Sequence, residues 1–534
     1  ILSMSKSKII EGGQLEYDAV LGRMGTVAHV ANDVYAVAHE GPSSKGMITT
    51  FSSSDDGASI KKLQYFEYDS NKGRYASFMK ISPNTFLLAY AGKDDDGYIT
   101  TLRISNDGKT ISTIVKPDEH DNNNGTWNSL SRVDWNTYLL AYTGYGNRGY
   151  VKTFDVPLDG SSIDKPDSKQ HDNWQGFHTS LVELSPNHYA LTYYGGRSNN
   201  NSWWAWGGII KTFPVSNDGK IGTFISDHRL KPYGNQFKHN SFLKIDEDSY
   251  VLLYKLGRDG YIANITIPKD GSSITMESTE LIFKEPKRNN RWESGYFNAT
   301  LKLDSDHILV QSRDPESDGW VKSYKISDEG KTLTEDWKFE FEANRMDDSW
   351  EQSLFQIDKD TYGIAYSSLG KGQIKTLNLL TEEKTKPKID YTKLSSDNTY
   401  MIVQMNEQTF KASSGVGDVE KTDFELSISG GTATLTSSNP TSITKERDRY
   451  LLQIGYNGLA DGNETLTIKP APNSIFDKHG NVADVDQTNN SHTLNENTPP
   501  KFASSTISDD NLIVTIKFSE PVFQQRGGSG DLQR

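Results

Sequence analysis

The sequence predicts an all-β chain: a seven-bladed β-propeller followed by an Ig-like β-sandwich and a partial second β-sandwich module. Three observations carry this. A unit of four strand-like segments recurs seven times, marked by a glycine that opens the third segment at Gly46, Gly97, Gly149, Gly208, Gly260, Gly319 and Gly372. A spare strand, QLEYD (14–18), stands at the start of the chain, while the seventh unit ends at GQIKTLNLL (372–380) without its fourth strand. The pattern then changes near residue 385. Units this short cannot bury their own apolar side chains and must stack on their neighbours, which for four antiparallel strands means a radial array.

Each unit has the same order. An alternating first strand ends in an acidic or polar turn, as in YASFMKIS (75–82), WNSLSRVD (127–134), HTSLVELS (178–185) and EQSLFQID (351–358). A short apolar run follows, such as TFLLAY (85–90), TYLLAY (137–142) and SYVLLY (249–254), which fits a buried strand better than a helix. The glycine-led third strand comes next, as in GYITTL (97–102) and GYVKTF (149–154). A turn such as SNDGKT (105–110) or PLDGSS (157–162) then supplies a positive-φ residue for a tight reversal. The outer strand is more polar; LQYFEYD (63–69) and WKFEFE (337–342) are its clearest copies. Because 14–30 aligns with 64–81, residues 14–18 are expected to complete blade seven and close the ring, which removes an open sheet edge.

The expected domains are therefore 1–384 for the propeller, 385–497 for the Ig-like module and 498–534 for the start of a second. Alternating segments YMIVQM (400–405), DFELSI (423–428), RYLLQIGY (449–456) and ETLTIKP (464–470) suit a sandwich. Residues 498–534 align with 385–421, so the parent polypeptide is expected to carry further Ig-like modules.

Composition narrows the function. The net charge is −14 with acidic groups scattered and no basic block, which argues against a nucleic-acid partner. There is no cysteine, so disulfides, thiolate metal sites and a cysteine nucleophile are excluded. No apolar run approaches the length of a membrane-spanning helix.

Residues Phe424, Gly430, Gly431 and Ala433, then Gly462 and Glu464, then Asn473, Ser474, Ile475, Asp477, Gly480 and Asn481 form a pattern that resembles repeats of very large bacterial cell-surface adhesins, flavobacterial gliding and attachment proteins among them. The resemblance covers 385–534 and implies an exported, extracellular cell-surface stalk bearing a head. The propeller turns resemble the Asp-box only loosely, since Ile111 stands where that box has Trp.

Candidate functional residues are expected where the repeat breaks. Blade four inserts RSNNNSWWAWGG (197–208), with Trp203, Trp204 and Trp206 in a polar loop, and HDNWQG (171–176) adds Trp174. Flat aromatic faces beside amides and carboxylates suit sugars as well as proteins. Arg291, Trp292 and Glu293 lie in a second irregular loop, 287–295. Asp94, Asp95 and Asp96, and Asp477, Asn481 and Asp484, supply hard oxygen donors of the kind Ca²⁺ takes, although a solvated acidic turn explains each group as well. Recurring Ser77, Ser129, Ser180, Ser241, Thr300 and Ser353 on the first strands read as packing and hydrogen bonding between blades; no His and Asp accompany them as a triad would require. The expected function is an adhesin whose propeller head binds a glycan or another surface component without chemistry. A glycoside hydrolase or lyase acting on polysaccharide is the alternative, and a protein–protein scaffold in a surface or gliding machinery is a third. Against an enzyme stands the repetition of nearly every acidic residue; Glu293, Asp314 and Glu316 are exceptions.

Overall fold

The computed structural model describes residues 8–522, apart from 197–205, 231–236, 257–258, 284–295, 305–306, 315–316, 328–331, 344–345, 348–352, 359, 381–385, 447, 498, 500, 510–511 and 520–521. Seven four-stranded antiparallel sheets make the propeller. Blade one runs Arg23–Ala31, Val34–Glu40, Gly46–Ser53, Ile60–Asp69 from inside to outside, and the next five blades repeat that order. In the seventh sheet, Ser353–Asp358, Thr361–Ser368 and Lys371–Leu380 are completed by Lys8–Asp18, with Leu15 opposite Ile374.

Apolar burial joins neighbouring blades. Val30, Ala36 and Ile48 of blade one pack with Phe78, Phe86 and Leu88 of blade two. Tyr17 and Phe355 of blade seven pack with Tyr35, Val37 and Phe51 of blade one. Each such side chain contributes about 1.5–3 kcal/mol when fully buried. The strand-opening glycines have a steric cause. A Cβ on Gly46, Gly97 or Gly149 would lie 2.2, 2.4 or 2.1 Å from the ring of Tyr68, His120 or His171, and the loop glycines Gly73, Gly125 and Gly176 press on these same strand starts from the next blade.

Polar bonds also cross from blade to blade. The Ser77, Ser129 and Ser180 hydroxyls accept the backbone N–H of Leu130, Leu181 and Phe242 in the following blade. Blade six departs from the expected series. Ala299 pairs with Gln311 as Ser129 pairs with Ala141, so Ala299 holds the serine position and Thr300 lies one step further on. Thr300 still meets Ser241, hydroxyl to hydroxyl, at 2.7 Å. A second series uses the turns. Thr50, Thr101, Thr153 and Thr212 donate to the carbonyls of Gly108, Gly160, Gly219 and Gly271 in the next blade, and Thr376 of blade seven donates to Gly57 of blade one. The turn glycine therefore does more than reverse the chain: its carbonyl ties adjacent blades.

Beyond the propeller, Ile389–Leu394, Tyr400–Met405, Arg449–Gln453 and Ser442–Glu446 form one sheet, and Phe424–Ser429, Thr465–Pro470 and Ser491–Thr493 another. They enclose a core that includes Met401, Val403, Phe424, Tyr450, Leu452, Leu466 and Ile468. The adhesin-like motif is structural here. Buried Glu464 accepts backbone N–H bonds from Thr432, Ala433, Asp461 and Gly462, and a Cβ on Gly431 would strike its carboxylate. Burial opposes the charge, but these donors hold the Glu464 carboxyl at about 2. A last hairpin, Phe502–Ile507 with Val514–Phe518, exposes Phe502, Ile507, Val514 and Ile516.

Candidate functional site

The two ends of the propeller are built from different turns. On one end, the loop entering a blade hydrogen-bonds to the loop before the glycine-led strand of the preceding blade: Gly73 to Ser44, Gly125 to Asp95, Gly176 to Asn147. On the other, the first hairpin turns meet the Asp-Gly turns: Ser53 to Asp33, Ile104 to Asn84, Val156 to Asn136, Val215 to Asn187. The sandwich docks on this second end.

One residue of each blade stands at this end, and Arg132, Glu183, Lys244 and Lys302 among them contact the sandwich. The first strands place His29, Lys80, Arg132, Glu183, Lys244, Lys302 and Gln356 at one register position, opposite Tyr35, Phe86, Tyr138, Tyr189, Tyr250, Ile308 and Tyr362. These seven form a ring around the channel mouth. Cations in the ring brace the previous blade: Lys80 donates to the Val30 carbonyl, Arg132 to Ile81, Lys244 to Leu184 and Lys302 to Ile245. The same side chains then reach the sandwich. Arg132 Nε meets Glu446 at 3.0 Å, Lys244 meets Asp390 at 3.2 Å and Lys302 Nζ donates to the Asn406 carbonyl at 2.8 Å. Glu183, the one acid in the ring, pairs with Arg449, the opposite polarity.

Between the ring and the sandwich lies a cavity of about 970 Å³. Tyr35, Phe355 and Phe410 supply aromatic wall, and His29, Lys80, Asp418, Lys445 and Glu446 the charged groups. His29 Nε2 lies 2.8 Å from the Asn32 carbonyl. A carbonyl only accepts, so Nε2 carries the hydrogen and Nδ1 keeps a lone pair. Burial pushes the imidazole below its ordinary value; Asp418 opposes this and Lys80 reinforces it. His29 is therefore neutral at pH 7. Burial also lowers Lys80 to about 8, against the pull of Asp418. Asp418 is 3.1 Å from Lys445. Burial works against its charge, but Lys445, then His29 and Lys80, hold its carboxyl below the usual range. A base, an acid near neutrality and a fixed carboxylate thus line one sugar-sized space.

The sequence-derived candidates lie elsewhere. Trp174 sits on the opposite end of the propeller, 42% exposed, with its backbone N–H on Asp172. Trp206 opens a strand opposite Gly196. Trp203, Trp204, Arg291, Trp292 and Glu293 lie outside the described residues, as does Glu316. Asp94 faces Lys93 and Asp95 faces Lys72, while burial and then Asp94 raise Asp96. Asp477 accepts from the backbone of His479 and Asn481 and from the Asn481 amide, and Asp484 pairs with Lys386. Among the described residues, no group of three or more His, Cys, Asp or Glu side chains is arranged to hold a metal. Asp314 accepts the Trp320 indole N–H at 2.9 Å. The ring and the cavity were missed. Their signal is a polar residue one step before the last apolar residue of the first strands, basic in Lys80, Arg132, Lys244 and Lys302.

No known protein family matches the sequence, and no curated protein is significantly similar to it, so the resemblance to surface adhesins has no counterpart there. Solved structures with a similar course include a periplasmic gluconolactonase from Pseudomonas aeruginosa, 11% identical over 64% of this chain and 97% of that one, with a TM-score of 0.47. A protein from Lactobacillus plantarum is 16% identical over 64% of this chain and 96% of its own, with a TM-score of 0.43. A putative 6-phosphogluconolactonase from Bacteroides uniformis is 11% identical over 57% and 80%, with a TM-score of 0.42. Identities and scores this low do not carry substrate or residue roles across. They do correct one expectation. The expectation of a head without chemistry is set aside beside a gluconolactonase and a putative 6-phosphogluconolactonase of similar course. Among the described residues, no helix is long and apolar enough to cross a membrane.

Proposed function

We propose that this chain is a carbohydrate-processing enzyme of the hydrolase or lyase type, acting outside the cell, with its site in the roofed channel mouth. The observation that carries the reading is the convergence of neutral His29, Lys80 and Asp418 in an aromatic-walled cavity of about 970 Å³. In this scheme His29 Nδ1 accepts a proton, the Lys80 ammonium donates one, and Asp418 fixes the charge around both. The aromatic walls suit the apolar face of a sugar ring. The exported location rests on the adhesin-like motif alone.

The test is turnover of an oligosaccharide panel by the full chain, followed by chromatography. His29→Gln should lower the rate by about 10²-fold or more. Absence of turnover on every saccharide, or a rate untouched by both His29→Gln and Lys80→Met, would overturn the proposal.

A second reading concerns recognition. Trp174 is an exposed indole in a polar loop on the far end of the propeller, which suits a glycan or other cell-surface component as partner. A glycan array should then lose signal on Trp174→Ala while turnover persists; an unchanged array would remove this reading.

A further inference from the structure

Where the sandwich meets blades three and four, three side chains stand in an unusual relation. Lys393 of the sandwich is 7% exposed and Asp134 of blade three 1%. Lys393 Nζ lies 2.7 Å from the Asn187 side-chain carbonyl oxygen and 2.7 Å from the Val133 carbonyl. The Asp134 carboxylate is further away, at 3.9 Å, and its Oδ2 has no hydrogen-bond partner. A charged lysine buried beside a carboxylate normally closes on it. Lys478, at a second buried contact between sandwich and propeller, also stands off its carboxylate, 3.5 Å from Asp304, but donates to the Tyr362 hydroxyl, and Tyr362 and Asp304 raise it against burial. Lys393 differs in kind. Burial lowers it despite Asp134, and burial raises Asp134 to about 6 despite Lys393. Burial thus disfavours the charge on both groups, and a carboxamide is in contact with the lysine. Asn187 is also held: its backbone carbonyl accepts Val215 N–H in the hairpin turn.

We propose that Lys393 and Asn187 form an intramolecular isopeptide bond that fastens the sandwich to the propeller, with Asp134 as the proton-transfer group. The Lys393 amine nitrogen bonds to the Asn187 side-chain carbonyl carbon. Asp134 gives its proton to the carboxamide oxygen and takes up the one released by the nitrogen. Asp134 then passes that proton to the amide nitrogen and takes back the one on the oxygen, so that the carbonyl re-forms, the bond from the carbon to the amide nitrogen breaks and ammonia leaves. No oxidant, metal or cofactor enters the balance. The proposal is independent of what the cavity binds.

The test is the intact mass of the full-length chain, followed by peptide mapping. The expected result is a mass lower than the sequence mass by one ammonia, with a branched peptide joining Asn187 to an uncleaved Lys393. A protease site placed between Leu380 and Lys386 should then leave a single band on a denaturing gel after cutting. Asp134→Asn and Asn187→Ala should restore the full mass and give two bands, with native hydrogen exchange in the blades confirming that each variant folds. Recovery of Lys393 as an unmodified residue from the native wild-type chain would overturn the proposal, whatever the variants do. Loss of ammonia mapped to another asparagine would overturn it equally.

Discussion

Replacing Arg132 with leucine should release the sandwich from the propeller more than any other single change in the ring. Its guanidinium is buried and makes five hydrogen bonds: to Glu446, to the Trp135, Lys80 and Ile81 carbonyls, and to the Tyr138 hydroxyl, at 2.9–3.2 Å. Leucine fills part of the space but removes all five donated bonds and the cation that pairs with Glu446. Removing one partner of a buried pair costs about 3–5 kcal/mol. Glu446 keeps 19% of its side chain in solvent, which places the cost at the lower end. We expect about 3 kcal/mol for Arg132→Leu. Glu446→Gln, which keeps an acceptor and loses only the charge, should cost about 1 kcal/mol. The double mutant should fall short of the sum by about 1–2 kcal/mol, because the two changes remove one shared interaction. Urea is the denaturant of choice, since guanidinium would screen the pair, and hydrogen exchange on Ser442–Glu446 reports the docking itself. A loss under about 1 kcal/mol, with unchanged exchange in that strand, would refute the reasoning that the ring holds the sandwich.

Further outcomes follow from the same contacts. His120 and His171 are buried with neither ring nitrogen hydrogen-bonded, and burial drives both well below the ordinary imidazole range. They stay neutral when folded but protonate when unfolded, so stability falls as pH drops below about 6.5, by about 1 kcal/mol each over the first unit. Urea titrations at pH 6.5 and 5.5 should show this slope, and a His120→Tyr, His171→Tyr double variant, matching Tyr68 of blade one, should make it shallower by about 2 kcal/mol over that interval. Thr101→Val removes the bond to the Gly160 carbonyl and also strands Val115 N–H, at a cost of about 1–3 kcal/mol in thermal unfolding. Glu464→Ala leaves four backbone donors of the sandwich without an acceptor and should lower its stability by about 3 kcal/mol or more, read by hydrogen exchange at Thr432 and Ala433.

What could be read in advance was what repeats. The glycine at the head of each third strand, the Asp-Gly turn and the serine of the first strand all recur because each meets the neighbouring blade, and recurrence is visible in one dimension. The slip at Thr300 shows the limit: Ala299 holds the serine position, and the strand pairing reveals it where the residue type did not. The ring of His29, Lys80, Arg132, Glu183, Lys244, Lys302 and Gln356 was harder still. Its members differ in charge, and their partners Asp390, Asn406, Asp418, Glu446 and Arg449 stand far along the chain in another fold. Arg132 and Glu446 are 314 positions apart. No local pattern announces which end of a propeller a second unit will cover, and irregular loops stand out in a sequence where a cavity formed only by docking does not.

The most direct measurement is a crystal structure of the full chain soaked with an oligosaccharide that it turns over. The account predicts sugar density in the roofed channel mouth, within hydrogen-bonding reach of His29 and Asp418. Density confined to the Trp174 end, with the channel mouth holding only solvent, would contradict it.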